Sequence, residues 1–294
     1  MSEPTTGATP AFDPHADTPA FDPHAVPISH AATVMLLADR PGLDGAPSLH
    51  VLMLRRTARL VFAPAAWVFP GGRVDPEDHH DDFDTMFTGL SDAEATTILD
   101  VPSGGLAWWL AACRETFEEA GLLLAADRTD VDLVEMRRRV REDESVFADL
   151  VLEHGITLDA SGIEEVARFI TPLGSPRRFD ARFFVAHAPA DQVPEHDDGE
   201  IVAWEWIRPD DALERWSAGE FEMISPTVRM VACLGRFDTA DAVMAAAARR
   251  LPYQRVRVID PEGAYHVVLP GEDGYETAEL EVESGWVRLW TTEG

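Results

Sequence analysis

Two stretches of sequence decide the fold of this chain: Gly71-Gly72 and, after an interruption, Arg114-Glu115-Thr116-Phe117-Glu118-Glu119-Ala120-Gly121-Leu122. In the second stretch Glu115, Glu118 and Glu119 are spaced at i, i+3 and i+4, so a helix would place their three carboxylates on one face. Gly121 stands where such a helix would end. Apolar residues recur at steps of three to four on another face, which is typical of a buried stripe: Trp109, Cys113, Phe117 and Ala120.

Three like charges on adjacent turns repel one another and destabilise a helix unless a cation compensates them. Hard carboxylate oxygens suit Mg²⁺ or Mn²⁺. The alternative is a solvated acidic face, and for an isolated Glu-x-x-Glu-Glu pattern that interpretation would be preferred, because acidic helix faces are common. The flanking residues decide between the two.

The flanking residues resemble the signature of the Nudix hydrolase family. That signature has Gly, five residues, Glu, seven residues and then Arg-Glu-U-x-Glu-Glu-x-Gly-U, where U is usually apolar. The stretch from Arg114 to Leu122 matches at each fixed position, although Thr116 occupies the first U. The glycines lie upstream, in Phe69-Pro70-Gly71-Gly72.

The first half of the signature departs from the family pattern. Five residues after Gly72 comes Asp78, a carboxylate but not Glu, with Glu77 beside it, and which of the two fills the first acidic position stays open. A run of 35 residues (79–113) then stands where the usual spacing is seven. We assign residues 79–105 to an insertion, with a helix over 91–99 that begins in a Ser91/Glu94 capping box. It would be either a lid or substrate-selecting wall, or surface decoration.

The resemblance implies a divalent metal cofactor, Mg²⁺ or Mn²⁺. Its expected ligands are the Gly72 carbonyl and the side chains of Glu115, Glu118 and Glu119. The metal would neutralise a diphosphate and lower the pKa of a bound water that attacks phosphorus. Arg114 is expected to tie the glutamates together by charge-assisted bonds and not to hold phosphate itself.

A further carboxylate is expected to complete the metal shell or act as the base. Glu200, in an acidic loop before a predicted strand, is the first choice for this role and Glu205 the second, while Glu115 is an alternative base. Arg177 and Arg178 lie in a Pro/Gly loop and are predicted to bind substrate phosphate, since basic residues are scarce. A surface salt bridge is the alternative for this arginine pair.

The alternation of elements predicts an α+β fold, an α/β/α sandwich with a mixed β-sheet, and the resemblance implies the Nudix fold. Residues 1–28, which contain a repeat of Thr-Pro-Ala-Phe-Asp-Pro-His-Ala, predict a disordered or extended arm. A Nudix domain would span 29–235. A C-terminal extension, 236–294, would either extend the core sheet or join a second subunit.

Hydrophobic periodicity and turn residues predict the individual elements. Strands are predicted at 31–39, 49–55, 67–74 (kinked at its glycines), 166–171, 179–188, 201–207, 255–259, 265–269, 279–282 and 286–290. Besides the two helices already described, helices are predicted at 131–153 (two, meeting near 143–145), 209–216 and 221–248.

The charge of the chain excludes some functions. With 24 basic and 53 acidic residues, its formal net charge is −29, which argues against nonspecific binding to nucleic acids or anionic membranes. Two cysteines cannot form a disulfide framework of the secreted kind. The N-terminus shows no signal peptide, and no apolar run is long enough to span a bilayer. A cytoplasmic location is therefore expected.

The predicted function is hydrolysis of the diphosphate of a nucleoside diphosphate linked to another moiety. Phe62-x-Pro64, the long insertion and Pro176-Arg177-Arg178-Phe179-Asp180 are similar to the long-insert branch that contains the peroxisomal coenzyme A diphosphatase. The fuller coenzyme A motif has Arg and Gly where this chain has Val61 and Ala65. The alternatives are hydrolysis of NADH, ADP-ribose or another nucleotide, or a non-catalytic nucleotide-binding regulator. A homodimer is left open.

Overall fold

The computed structural model describes residues 22–42, 45–60, 63–127, 130–196, 199–259, 266–278 and 285–290. The first copy of the N-terminal repeat and the strand predicted at 279–282 lie outside these ranges. Of the predicted N-terminal arm, only its last residues are described, and they lead into the first strand at Ile28.

The described residues form twelve strands: β1 (Ile28–Pro41), β2 (Pro47–Arg56), β3 (Trp67–Val68), β4 (Gly71–Arg73), β5 (Phe87–Thr88), β6 (Leu158–Asp159), β7 (Ile163–Ile170), β8 (Arg178–His187), β9 (Ile201–Ile207), β10 (Gln254–Ile259), β11 (His266–Val268) and β12 (Gly285–Val287). They also form eight α-helices: α1 (Phe83–Met86), α2 (Asp92–Leu99), α3 (Leu106–Ala120), α4 (Leu133–Glu142), α5 (Phe147–Glu153), α6 (Pro209–Ser217), α7 (Ser225–Leu234) and α8 (Ala240–Ala248).

A ten-stranded mixed sheet forms the centre of the fold. Its main path runs β11-β10-β12-β7-β8-β1-β2-β3, with β4 paired to β1 and β9 paired to β2. β1 is parallel to β8 and antiparallel to β2 and β4, which makes the sheet mixed. The buried run of β1 is apolar on both faces, as expected for a strand covered on both sides.

Helices cover both faces of this sheet. Along β1, Val34 and Leu36 pack into the apolar cluster that contains residues of α1 to α5, whereas Met35 and Leu37 pack into the cluster that contains residues of α6 to α8. This alternation follows from the two-residue period of a strand. The predicted α/β/α sandwich with a mixed sheet is confirmed. Among the described residues, no helix has the length and apolar character needed to cross a bilayer.

Two predicted elements are each divided in the structure. The strand predicted at 67–74 becomes β3 and β4, because the chain bends at Phe69-Pro70, where the Pro70 carbonyl accepts a hydrogen bond from Val34 N at 2.8 Å. The helix predicted at 221–248 becomes α7 and α8. Thr239 begins α8 by accepting a hydrogen bond from Ala242 N, so its side chain marks a new helix start.

The insertion contributes to the core. Phe83, Met86 and Leu99 are buried in the cluster under α3. Its helix α2 begins in the predicted Ser91/Glu94 capping box. The side chains of α2 also accept hydrogen bonds from the first turn of α3: Leu106 N to Asp92 Oδ1 at 2.9 Å and Gly105 N to Thr96 Oγ1 at 3.0 Å. Burial of this kind excludes surface decoration as its role.

The C-terminal strands extend the central sheet, because β12 pairs with β7. Glu165 of β7 is fully buried beneath them. The Tyr253 hydroxyl donates to its carboxylate at 2.6 Å, and the side chains of Arg288 and Arg182 lie 3.4 and 3.6 Å away. Of the two alternatives for the extension, addition to the core sheet is the one observed, while a domain boundary at residue 235 stays a prediction.

We expect Tyr253→Phe to lower the free energy of unfolding by about 2 kcal/mol, because a buried carboxylate loses a hydrogen-bond donor. Burial and the nearby Glu165 charge raise the pKa of Tyr253 to about 12, so the hydroxyl keeps its proton at neutral pH. Tyr275→Phe is the control, since it removes a bond to the neutral Arg255 carbonyl and should cost about 1 kcal/mol. Urea denaturation measures both, and equal losses would contradict a special role for Glu165.

Candidate active site

The glycine bend and the carboxylate face of α3 meet in space. The Gly71 N–H donates to Glu119 Oε2 at 3.0 Å. A Cβ built at position 72 would lie 2.3 Å from Glu115 Oε1, so the backbone of the bend and this carboxylate are in direct contact. β4 holds the bend in register with β1, with Gly72 opposite Ala32. Residues far apart in sequence therefore converge at one end of α3.

The arrangement of α3 follows its sequence pattern. Trp109, Cys113 and Phe117 are almost completely buried against the sheet. On the other face the Glu118 side chain is 27% exposed and that of Glu115 is 12% exposed, whereas Glu119 is buried beside Gly71. The apolar stripe thus fixes the helix so that its carboxylates point toward the bend.

Arg114 joins the two halves of the signature. Its Nε and Nη2 donate to the two oxygens of Asp78 at 3.0 and 2.9 Å, and Nη2 also donates to the Arg73 carbonyl at 2.9 Å. The Arg114 and Asp78 side chains are each only 3% exposed, whereas Glu77 is exposed. Asp78, and not Glu77, therefore fills the first acidic position.

Five carboxylates lie within 4 Å of the Arg114 guanidinium: Asp75 at 3.4 Å, Asp78 at 2.9 Å, Glu115 at 3.0 Å, Glu118 at 3.9 Å and Glu144 at 3.5 Å. Burial alone would lower the pKa of Arg114, but the Asp78 hydrogen bonds and the surrounding carboxylates raise it above its usual value. The guanidinium is therefore permanently charged. Glu144 comes from the turn between α4 and α5, where sequence reasoning saw only the meeting point of two helices.

The carboxylates of this site are crowded and poorly solvated. Burial raises the pKa of Glu115 to about 8, Arg114 opposes this rise, and the neighbouring Glu118 adds to it. Burial and the charge of Glu115 likewise raise the pKa of Glu119 well above its usual range, although the Gly71 N–H opposes this. A cation placed between these groups would relieve the repulsion and keep them ionised.

The donor set fits a hard divalent cation, since it consists of carboxylate oxygens and the nearby backbone of Gly72. Within the ranges that the structure describes, no three acidic, His or Cys side chains already stand in the arrangement of a metal site. The reason is local: Glu119 is bonded to Gly71 N and Glu115 to Arg114 Nη1. Each of these carboxylates keeps a second oxygen that could bind an ion, since an ionised carboxylate can accept several bonds.

Arg56, at the end of β2, is a basic residue of this region that sequence reasoning missed. Its positive charge lowers the pKa of Glu119, which shows that the two side chains are close. Its Nη2 lies 3.7 Å from Glu200 Oε2, and its Nε is buried without a hydrogen-bond partner among the described residues. The sequence signal for Arg56 was its position: it is an arginine at the end of a predicted strand in a chain with few basic residues.

The two predicted acidic partners lie in different places. Glu200 is exposed and lies beside Arg56, so it is near the site but on its outer side. Glu205 pairs with Arg215 of α6 at 2.6 Å. Its neighbours Ala203 and Ile207 pack under α6 to α8, so Glu205 faces away from α3.

The two predicted phosphate-binding arginines are not brought to the bend. Arg178 is buried and donates from Nε to the Thr171 carbonyl at 3.0 Å, a contact that holds its loop. Arg178 pairs with Ile28 of β1. Gly72 pairs with Ala32 of the same strand, four residues further on, so Arg178 is displaced from the bend along β1. Arg177 is exposed in the same loop. A phosphate role for this pair stays a prediction with no contact in its favour.

Arg137 of α4 holds the C-terminal end of α3. Its guanidinium donates to the carbonyls of Glu118 and Glu119 at 2.9 and 3.1 Å and to the Glu195 carbonyl at 2.7 Å. Gly121, with φ of +71°, ends the helix in the left-handed conformation, and a Cβ there would crowd this guanidinium. The left-handed conformation therefore favours glycine here, and a larger residue would also displace the Arg137 guanidinium.

Comparison with known proteins agrees with this geometry. The model of the NUDT19 Nudix domain matches residues 85–234, just over half of the chain. The chain belongs to the NUDT19 Nudix family. Membership confirms the resemblance, the Nudix fold and the expected enzyme class, a Nudix hydrolase.

Relatives of this NUDT19 family member match over most of their length. The acyl-coenzyme A diphosphatase NUDT19 of Gallus gallus is 27% identical, over 83% of this chain and 79% of that protein. The protein of that name from Homo sapiens is 28% identical, over 83% and 80%. A NUDIX hydrolase from Alicyclobacillus acidocaldarius superposes with a TM-score of 0.63 at 26% identity, over 75% of this chain and 97% of that structure.

We expect Asp78→Ala to lower the free energy of unfolding by about 3 kcal/mol, because it removes the bidentate partner of a buried guanidinium. Glu77→Ala, the control at the adjacent exposed position, should change stability by less than about 0.5 kcal/mol. Urea denaturation of both variants tests the assignment. If the Glu77 variant were the less stable one, Asp78 would not be the residue that joins the two halves of the site.

Proposed function

We propose that this chain hydrolyses the diphosphate bond of coenzyme A or an acyl-coenzyme A, with Mg²⁺ or Mn²⁺ as cofactor. The observation that carries the reaction class is the convergence of the Gly71-Gly72 bend with Glu115 and Glu119. The choice of substrate is supported by the names of the vertebrate relatives, which are acyl-coenzyme A diphosphatases.

The chain's own residues account for the steps of such a reaction. Bound divalent metal would supply charge neutralisation of the diphosphate and a water of lowered pKa. Glu115, Glu118, Glu119 and the Gly72 carbonyl would hold it. Arg56, whose side chain is 17% exposed beside Glu200, would bind a diphosphate oxygen and stabilise the charge that develops as the bond breaks. Arg114 holds the carboxylates and does not contact substrate.

A carboxylate must accept the proton of the attacking water. Glu115 is the better placed of the two candidates, because its carboxylate lies against Gly72. Glu200 is exposed and paired with Arg56, a position better suited to orienting that guanidinium. We therefore assign the base to Glu115 and give Glu200 the second place.

NADH, ADP-ribose and other nucleotides are the alternative substrates, and a non-catalytic nucleotide-binding regulator is the alternative function. The presence of all three signature glutamates in the sequence favours an enzyme, since a regulator does not need a metal-binding carboxylate set. Phosphate release from a panel of coenzyme A, acyl-coenzyme A, NADH, ADP-ribose and nucleoside triphosphates, with Mg²⁺ or Mn²⁺ and with or without chelator, separates these functions. A cytoplasmic location and a homodimer stay predictions.

We expect Glu118→Gln to lower kcat at least about a hundredfold, because the substitution removes a metal-binding charge and leaves the side-chain shape intact. Glu135→Gln on α4, whose exposed carboxylate pairs with Arg138 of the same helix, is the control. Steady-state kinetics measures the rates, and urea denaturation checks that both variants are folded. A Glu118 variant with the parental rate in the presence of metal would remove the assignment.

We expect Arg56→Gln to lower kcat/KM about thirtyfold, because a charge-assisted bond to the diphosphate is lost. Arg55→Gln is the matched control, since Arg55 is the adjacent exposed arginine of the same strand. A Kd for a non-hydrolysable diphosphate analogue, measured by calorimetry, checks binding without turnover. Equal effects of the two substitutions would show that Arg56 acts only through general charge.

A further inference from the structure

The edge strand β9 carries two tryptophans on the face of the sheet that α3 covers. Trp204 and Trp206 pair with Leu54 and Leu52 of β2, and both pack against the apolar cluster under α3. Each is only partly buried. An aromatic stripe therefore runs along β9, starting beside the end of β2 where Arg56 lies.

Arg40 covers the far end of this stripe. Its guanidinium carbon stands 4.5 Å from the centre of the Trp206 ring, a cation–π contact. Burial lowers the pKa of Arg40, and no carboxylate of the described residues opposes that effect. In a chain with 53 acidic and 24 basic residues, an arginine that is stacked on an indole and has no carboxylate partner among the described residues is unusual.

Two further hydrogen-bond donors near this end have no acceptor. Ser48, the cross-strand partner of Arg40, has a buried hydroxyl without a hydrogen-bond partner among the described residues, and the same is true of Trp206 Nε1. Buried donors of this kind are uncommon, because each one left unsatisfied costs free energy. Both belong to residues that adjoin Arg40, Ser48 as its cross-strand partner and Trp206 through its ring.

The strand pairings give the distance between the glycine bend and Trp206. Gly72 of β4 pairs with Ala32 of β1. Trp206 of β9 pairs with Leu52 of β2. Leu52 follows Val51, which pairs with Leu37 of β1. Four residues along the strands and one further strand across the sheet separate the two places, which corresponds to about 14 Å between backbones. Trp206 packs on the face of the sheet that α3 covers, and the α3 carboxylates lie at the bend, so one extended ligand on that face would reach both places.

We propose that Arg40 and Trp206 form a subsite for a second anionic group of the substrate, a phosphomonoester carried on the nucleoside half. The inference rests on the proposed function and extends it. Coenzyme A has such a group in its 3′-phosphate, whereas NADH and ADP-ribose do not. The guanidinium, held over the indole ring, binds the phosphate by charge-assisted bonds, and the partly exposed tryptophans offer aromatic surface to the rest of that half.

The test compares coenzyme A with 3′-dephospho-coenzyme A. The wild-type protein should have a KM for coenzyme A about tenfold lower than for the dephospho form, and Arg40→Ala should remove this difference while leaving kcat and the KM for dephospho-coenzyme A unchanged. Arg208→Ala is the control, because Arg208 lies just beyond β9 and has Asp210 and Asp211 close by. It should change neither KM.

A purely structural role for Arg40 would raise both KM values equally or lower only the Tm, and either result would overturn the subsite. Failure to hydrolyse either compound would instead contradict the proposed function. In that case calorimetry with adenosine 3′,5′-bisphosphate and AMP still decides the subsite: about tenfold tighter binding of the bisphosphate, lost in Arg40→Ala, supports it. Equal affinities of the wild-type protein for the two nucleotides would overturn it.

Discussion

The buried ion pair between Arg114 and Asp78 is the constraint on which the site depends. The two residues are separated by the insertion, yet their side chains form two hydrogen bonds in an almost fully buried position. A buried guanidinium without its partner would be strongly unfavourable. The segment that carries Asp78 must therefore pack against α3, whatever the length of the chain between them. This requirement explains how the two halves of the signature stay together in space although a long insertion separates them in sequence.

The same guanidinium shows how the electrostatics of the site are balanced. One positive charge is surrounded by five carboxylates, and Glu119 lies just beyond them. Burial raises the pKa values of Glu115 and Glu119, and the excess of negative charge adds to the rise. An environment with this excess of negative charge favours a divalent cation.

Patterns within short stretches of sequence predicted the elements that form through contacts between residues close together in the chain. The spacing of apolar residues and glutamates predicted α3 and the direction of its two faces, and the Ser91/Glu94 pattern predicted the start of α2. Contacts between distant segments were not visible in any window of sequence. Arg56 and Glu144 each reach the site from an element whose own pattern indicates only a strand end or a turn.

The roles of two arginines, Arg178 and Arg137, depend on their burial, which the sequence alone does not reveal. Arg178 looked like a phosphate ligand because it lies in a Pro/Gly loop, but its side chain turns inward to hold the Thr171 carbonyl. The sequence does not distinguish Arg137 from the other arginines of α4, yet it binds carbonyls at the end of α3. An arginine can thus lie on the surface or be buried in a structural contact, and only the residues packed around it show which of these applies.

The order of strands in the sheet has a consequence for how the molecule is made. β12 lies between β10 and β7, and Arg288, beside it, reaches the Ile98 carbonyl at the end of α2. A growing chain that has emerged from the ribosome only as far as β9 would leave the edge of β7 unpaired and the charge of Glu165 without Tyr253 and Arg288. Such an intermediate exposes a strand edge to other chains. Completion of the sheet, and protection from aggregation, therefore come late in biosynthesis.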